Sequence, residues 1–150
     1  MQPIDSGRTV RSYTQRIQAP PDSVFPLLCP VREAEWLAGW SEGLEMVHSD
    51  SGVAEDGCVF MTRPPGRPPT VWMITRHEPA ARVVEFVRVT AELLATRLRI
   101  AVAGEGEGAS SVHITYTFTP LGATGRAFLR ENHSEDAFRG DMDLRRYSSI

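Results

Sequence analysis

The sequence predicts an α+β fold in which a curved antiparallel sheet of seven strands wraps around a C-terminal helix, in the element order β-α-α-β6-α. Three observations indicate this fold. A strand-like segment near the N-terminus is followed by a short helical stretch that prolines interrupt. Hydrophobic residues then recur at every second position from about residue 43 to residue 120. After Pro120 the pattern returns to helical spacing.

The first strand is predicted at residues 8–18, which are rich in β-branched and aromatic residues. Alternation places Tyr13 and Ile17 on one face and Val10 and Thr14 on the other. A helical stretch separates this strand from all the others, so we expect it to pair at the far side of the sheet.

Two short helices are predicted between the first and second strands. Pro21 and Asp22 suit the first turn of a helix, and Pro30 prevents that helix from continuing. A second helix is predicted at Val31–Leu37, ending before Gly39.

Six further strands follow, separated by segments rich in turn-forming residues such as 64–69 and 104–108. Parallel pairs need long crossover connections, whereas these connections are short, so the strands form an antiparallel meander. The predicted strands are Leu44–Ser49, Gly57–Arg63, Thr70–His77, Arg82–Thr90, Thr96–Ala103 and Ser110–Thr119.

The last helix is predicted after Pro120, where Phe128, Leu129, Phe138 and Met142 form an apolar stripe. The sequence leaves open whether this helix is long enough to close a cavity against the sheet. We expect the whole chain, residues 1–150, to form a single domain, since its length is ordinary for one.

The composition excludes several classes of protein. With 41% hydrophobic and 23% charged residues the chain has a globular composition, and its net charge of −3 disfavours binding to nucleic acid through phosphate neutralisation. Cys29 and Cys58 do not make a disulfide framework, and the cysteines and histidines lack zinc-ligand spacing. We see neither a secretory leader nor an apolar run of membrane-spanning length, and therefore expect a cytoplasmic protein with no membrane insertion.

Two segments carry a family resemblance: VFPLLCPVREAEWLAGW (Val24–Trp40) and SGVAEDGCVFMT (Ser51–Thr62). Together with the element order, they resemble the START-like (SRPBCC, helix-grip) superfamily over about residues 8–140. That superfamily includes polyketide cyclases, pollen allergens and lipid-transfer domains. More specifically, the two segments resemble an uncharacterised bacterial subgroup of its polyketide cyclase/dehydrase and lipid-transport-like branch. The resemblance implies a helix-grip fold with an apolar cavity between the sheet and the C-terminal helix.

Alternation places a set of apolar and aromatic side chains on one face of the predicted sheet. If that face is concave, these side chains line an apolar pocket in which Thr62 and the Tyr116 hydroxyl are the polar groups that orient a ligand. Arg76 or Arg88 then reaches inward to pair with a ligand carboxylate or phenolate. The alternative is a filled core, in which Trp36 and Trp40 only anchor the short helices. The candidate ligand-binding residues are Trp36, Trp40, Phe60, Thr62, Trp72, Phe86, Arg88, Leu98, Ile100, Tyr116 and Phe128.

Three functions are consistent with this sequence. The first is binding of a small hydrophobic or aromatic molecule, lipid-like or polyketide-like, without a cofactor or a metal. The second is an enzyme of cyclase or dehydratase type, with Glu33, Glu35, Tyr116 and Arg88 as candidate proton carriers. The third is a protein-partner module or homodimer that uses the outer sheet face around Arg82–Thr90, a segment that is apolar on both faces.

Overall fold

The computed structural model of the protein describes residues 6–28, 44–63, 66 and 68–132. Within these ranges a 3₁₀ turn at Phe25–Leu28 continues the first helix. The predicted helix at Val31–Leu37 lies outside the described residues, as do Phe138 and Met142. The elements are β1 (Thr9–Ile17), α1 (Pro21–Val24), β2 (Leu44–His48), β3 (Val59–Thr62), β4 (Thr70–Glu78), β5 (Val83–Thr90), β6 (Leu94–Gly104), β7 (Ser110–Pro120) and α2 (Gly122–Asn132).

The seven strands form one curved antiparallel sheet in the order β1-β7-β6-β5-β4-β3-β2. Strands β2 to β7 are sequential neighbours, as short connections dictate. Strand β1 lies beside β7, at the opposite edge from β2. The predicted meander, and the predicted position of the first strand at the far side of the sheet, are therefore confirmed.

The inner face of the sheet carries the hydrophobic core. Alternate side chains of the central strands point to this face, and Phe60, Ile74, Ile100 and Ile114 are all 0% exposed. The same core includes apolar side chains of the helical segments, among them Phe25, Leu27, Leu28 and Leu129. The inner face is thus the side on which the helical segments pack, as in the predicted helix-grip architecture.

A β-bulge in β4 changes which side chains reach the inner face. Counting by twos from Trp72 puts Arg76 on that face, but the register shifts between Ile74 and Arg76. Arg76 pairs with Glu85 on the outer face, and its Nε donates to Glu78 at 2.9 Å. Of the two arginines from which one was expected to reach inward, Arg76 therefore does not, because the extra residue reverses the alternation.

The same bulge brings a histidine inward. His77 lies opposite Val84, which is buried on the inner face. Its ring stacks on Phe25, with ring centroids 5.6 Å apart. This contact fixes the 3₁₀ turn against the end of β4.

Helix α2 approaches the loop between β5 and β6 closely. A Cβ atom placed on Gly125 would clash with the carbonyl oxygen of Leu93, so only glycine fits there. That oxygen also accepts a hydrogen bond from the amide of Leu121 at 2.8 Å. The two contacts determine how α2 leaves β7.

Candidate ligand site on the inner face of the sheet

Two groups of aromatic rings form a wall on the inner face, and the guanidinium of Arg88 lies against both groups. Phe60 and Trp72 stack with centroids 5.4 Å apart, and Phe86 meets Trp72 edge-on at 6.1 Å. Tyr116 and Phe118 stack at 5.2 Å on β7. Such ring pairs prefer stacked or edge-to-face geometry, and each adds about 0.5–1.5 kcal/mol beyond the burial of its area.

The sheet register explains why these rings meet. Phe60 lies directly opposite Trp72 across β3 and β4, and Leu98 lies opposite both Phe86 and Tyr116. Cross-strand neighbours are close enough for their side chains to pack on one face. The alternation that predicted this face from sequence is therefore the cause of the aromatic wall.

A guanidinium group lies within this wall. The Cζ atom of Arg88 is 5.0 Å from the centroid of the Trp72 ring and 5.5 Å from that of Tyr116. Both distances allow cation–π attraction, which holds the charged group over the two rings. Arg88 thus has the inward position that its phase predicted.

Hydrogen bonds orient other polar groups of this face. The indole Nε1 of Trp72 donates to Thr62 Oγ1 at 3.0 Å, which fixes the ring plane of the tryptophan. Gln15 Nε2 donates to the phenolic oxygen of Tyr13 at 2.9 Å on β1. The inner face thus carries few polar side chains, which is typical of sites that orient a mostly apolar ligand.

Two inner-face residues were not identified from sequence. Arg11 lies opposite Tyr116 in the register of β1 and β7, so its side chain shares the inner face. Thr96 lies between Arg88 and Phe118 on β6 and is only 2% exposed. For Arg11 the available signal was its spacing of two from Tyr13. For Thr96 no local signal distinguished it from the other strand threonines.

The predicted site residues that the structure describes come together on one side of the sheet. Eight of them lie on the inner face of β3 to β7, and Phe128 of α2 packs, half-buried, against the same core. Trp36 and Trp40 lie outside the described residues, as do Glu33 and Glu35. The eight are Phe60, Thr62, Trp72, Phe86, Arg88, Leu98, Ile100 and Tyr116.

Within the described ranges, His, Cys, Asp and Glu side chains form no group of three or more that could hold a metal ion. Among the helices described, none is both long and apolar enough to cross a membrane.

The family model described as polyketide cyclase / dehydrase and lipid transport matches residues 9–145. Norcoclaurine synthase from Thalictrum flavum has a similar structure, with a TM-score of 0.69, 14% identity, and coverage of 99% of this chain and 89% of its own. The Mll3558 protein from Rhizobium loti gives a TM-score of 0.65 at 14% identity, covering 95% of this chain and 96% of its own.

A third similar structure is DynU16, a protein of the dynemicin biosynthetic locus. It gives a TM-score of 0.60 at 17% identity and covers 98% of this chain, which spans 48% of DynU16. A comparison with curated proteins gives no match. At these identities the structural likeness shows the fold alone, and the chemistry has to be argued from the residues of this chain.

Proposed function

Since the chain belongs to the polyketide cyclase/dehydrase and lipid transport family, we propose that it binds a small hydrophobic or aromatic molecule between the inner face of the sheet and the C-terminal helix. The observation that carries this proposal is the aromatic wall with Arg88 held between Trp72 and Tyr116. A ligand of lipid or polyketide type has the extended apolar body that such a wall suits.

The wall supports binding because it combines a large apolar area with a few positioned polar groups. Flat rings offer contact area at little cost in conformational entropy, and Trp72 is already oriented by its bond to Thr62. Arg88 is half-buried beside these rings, so its guanidinium is within reach of a molecule that lies on them. A positioned cation beside apolar rings suits recognition of a ligand with a polar or anionic group.

A cyclase or dehydratase reaction on the bound molecule is the alternative within the same family. Of the candidate proton carriers, Tyr116 and Arg88 are described, and they meet through the face of the tyrosine ring. Ring-face contact positions a cation but is not a path for proton transfer, which needs hydrogen-bond geometry. We therefore favour binding and assign no catalytic residue.

The test uses N-phenyl-1-naphthylamine, a neutral aromatic dye whose fluorescence rises in apolar sites, together with native mass spectrometry of the purified protein. We expect the dye to bind in the micromolar range and apolar metabolites to displace it. Trp72→Leu should weaken dye binding about tenfold, since it removes a ring contact worth roughly 1–1.5 kcal/mol.

The matched control is Met73→Leu, which changes the next residue along the same strand. Met73 points to the outer face and is 45% exposed, so its replacement should leave dye affinity unchanged. Absence of dye binding by the wild-type protein, with no retained ligand in the mass spectrum, would refute the proposal. Equal losses in the two variants would place the dye elsewhere and would refute it as well.

A second candidate function is supported by the outer face of the sheet. Val71 and Met73 of β4 are each 45% exposed, and Val89 of β5 is 41% exposed. Val71 and Val89 are direct cross-strand partners, so these side chains form one apolar patch. Contiguous exposed apolar surface of this kind marks an interaction site.

Ion pairs on both sides of the patch favour a second copy of the chain as its occupant. Arg63 pairs with Glu45 at one rim and Arg97 with Glu85 at the other, at 3.4 Å and 3.7 Å. In a two-fold contact each rim meets either the opposite rim or the equivalent rim of the partner, and both rims carry both signs of charge, so opposite charges can pair in either arrangement. Light scattering should show a dimer that Met73→Gln dissociates, and a monomeric wild-type protein would refute this function.

A further inference from the structure

Two buried polar atoms of the inner face have no hydrogen-bond partner among the described residues: Nε of Arg11 and Oγ1 of Thr96. More than nine in ten buried polar groups in native proteins are hydrogen-bonded. The free-energy penalty of a buried unpaired group is considerable, and it is larger when the group is charged. Two such atoms on one face therefore indicate that something else binds there.

Both atoms belong to side chains beside the stacked Tyr116–Phe118 pair of β7. Arg11 is the direct partner of Tyr116 on β1, and Thr96 is the direct partner of Phe118 on β6, the strand on the other side of β7. Arg88, the direct partner of Thr96 on β5, contacts the ring of Tyr116 through its guanidinium. Two arginines and an unpartnered hydroxyl thus lie around the Tyr116–Phe118 ring pair.

The strands themselves provide no negative charge on this face. The acidic residues of β1 to β7 are Glu45, Glu78 and Glu85, and by alternation and register all three belong to the outer face. None of the ion pairs between described residues includes Arg11. Arg11 is half-buried, and its Nη1 donates to the Val10 carbonyl oxygen at 3.4 Å, but its buried Nε has no carboxylate from the sheet. An unpartnered guanidinium N–H on this face favours an anionic ligand.

We propose that the molecule bound on the inner face is an acid: an apolar body carrying a carboxylate or a comparable oxyanion, which accepts a hydrogen bond from Arg11 Nε. The hydroxyl of Thr96 donates to a second acceptor on the same molecule, and the apolar body lies on the rings of Trp72 and Phe86. This inference rests on the proposed function and narrows it to a class of ligand.

The experiment compares two probes with the same aromatic skeleton. N-phenyl-1-naphthylamine is neutral, and 1-anilinonaphthalene-8-sulfonate differs from it by one sulfonate group. We expect the wild-type protein to bind the anionic probe at least tenfold more tightly, and decanoic acid to displace either probe better than decanol does. A hydrogen bond to a charged group accounts for a preference of this size.

Arg11→Met should abolish the preference while leaving the neutral probe bound, which also shows that the variant is folded. The matched control is Arg16→Met, which removes the same charge from the same strand. Arg16 is on the outer face, exposed, with Nε 3.5 Å from Glu105, so its replacement should leave the preference intact.

The outcomes separate the two proposals. If the neutral probe binds wild-type protein but the anionic probe binds no better, the acid inference is overturned and the binding function stands. A preference that survives in Arg11→Met, or that Arg16→Met removes equally, overturns the inference too. If neither probe binds, the proposed function fails and the inference fails with it.

Discussion

Replacing Thr96 by valine should make the unliganded protein more stable. Valine has nearly the shape of threonine and the same branching at Cβ, so strand preference and packing are retained. The change replaces the Oγ1 hydroxyl, which has no hydrogen-bond partner among the described residues, by a methyl group. Most core substitutions destabilise proteins, so a gain here is a discriminating result.

The magnitude follows from the burial of the side chain. At 2% exposure, Thr96 offers its hydroxyl almost no contact with bulk water. Leaving such a group unpaired costs about 1–3 kcal/mol, and valine removes that cost. Taking the lower end, we expect the free energy of unfolding to rise by about 1 kcal/mol, which corresponds to about 2–4 °C in Tm for a chain of this size.

The assay is thermal and urea unfolding followed by circular dichroism, with Thr70→Val as the matched control. Thr70 is also buried on the inner face, at 8% exposure, but its hydroxyl is hydrogen-bonded to that of Thr90 at 2.7 Å. Its replacement leaves Thr90 without that partner, so stability should fall by about 1 kcal/mol. The two threonine-to-valine changes are thus expected to have opposite signs.

A fall in the stability of Thr96→Val comparable to that of Thr70→Val would refute the reasoning. It would mean that the Thr96 hydroxyl is satisfied in solution, and the ligand inference would lose one of its two supports. The expected pattern is a gain in Tm together with weaker binding of 1-anilinonaphthalene-8-sulfonate. That combination is the signature of a group retained for binding at a cost in stability.

Two further predictions concern the loop before β3 and the start of α2. Ser51 donates its side-chain and backbone hydrogen bonds to Glu55, and these bonds, with one from Ser49, lower the pKa of that carboxyl from 4.5 to about 2. Because the pKa of Glu55 is lower in the folded state, its hydrogen bonds stabilise the loop fully above about pH 4.5, and this stabilisation is lost as the pH falls through about 2. The chemical shift of the Ser51 amide should report this titration in NMR spectra. Glu55→Gln should abolish the pH-dependent change in that shift. Gly125→Ala should lower stability by about 1–2 kcal/mol, because the clash of the new Cβ with the Leu93 carbonyl oxygen exceeds the gain in helix propensity. An unchanged or higher Tm for Gly125→Ala would show that α2 can move away from that loop.

The sequence alone predicted the strands closely. Alternation and turn residues placed the fourth strand at Thr70–His77, and the structure has it at Thr70–Glu78. The sixth was predicted at Thr96–Ala103 and extends to Leu94–Gly104. Strand positions are local properties, since side-chain period and turn chemistry are both encoded within a few neighbouring residues.

The inner-face set was predictable for the same reason, up to the point where the alternation breaks. Trp72, Phe86 and Tyr116 share a face because each lies in an uninterrupted period of two. The bulge in β4 reverses that period, so Arg76 goes to the outer face and His77 to the inner one. No residue type in that segment signals a bulge, and only the pairing with β5 requires it.

The chemistry of the candidate site depended on tertiary structure. By sequence, Arg11 and Thr96 are an ordinary arginine and an ordinary threonine on two distant strands. They lie on opposite sides of the Tyr116–Phe118 pair because β1 crosses to the far edge of the sheet and pairs with β7. Whether a polar atom is buried and unpaired depends on every neighbour that the fold brings to it, and local sequence carries no record of those neighbours.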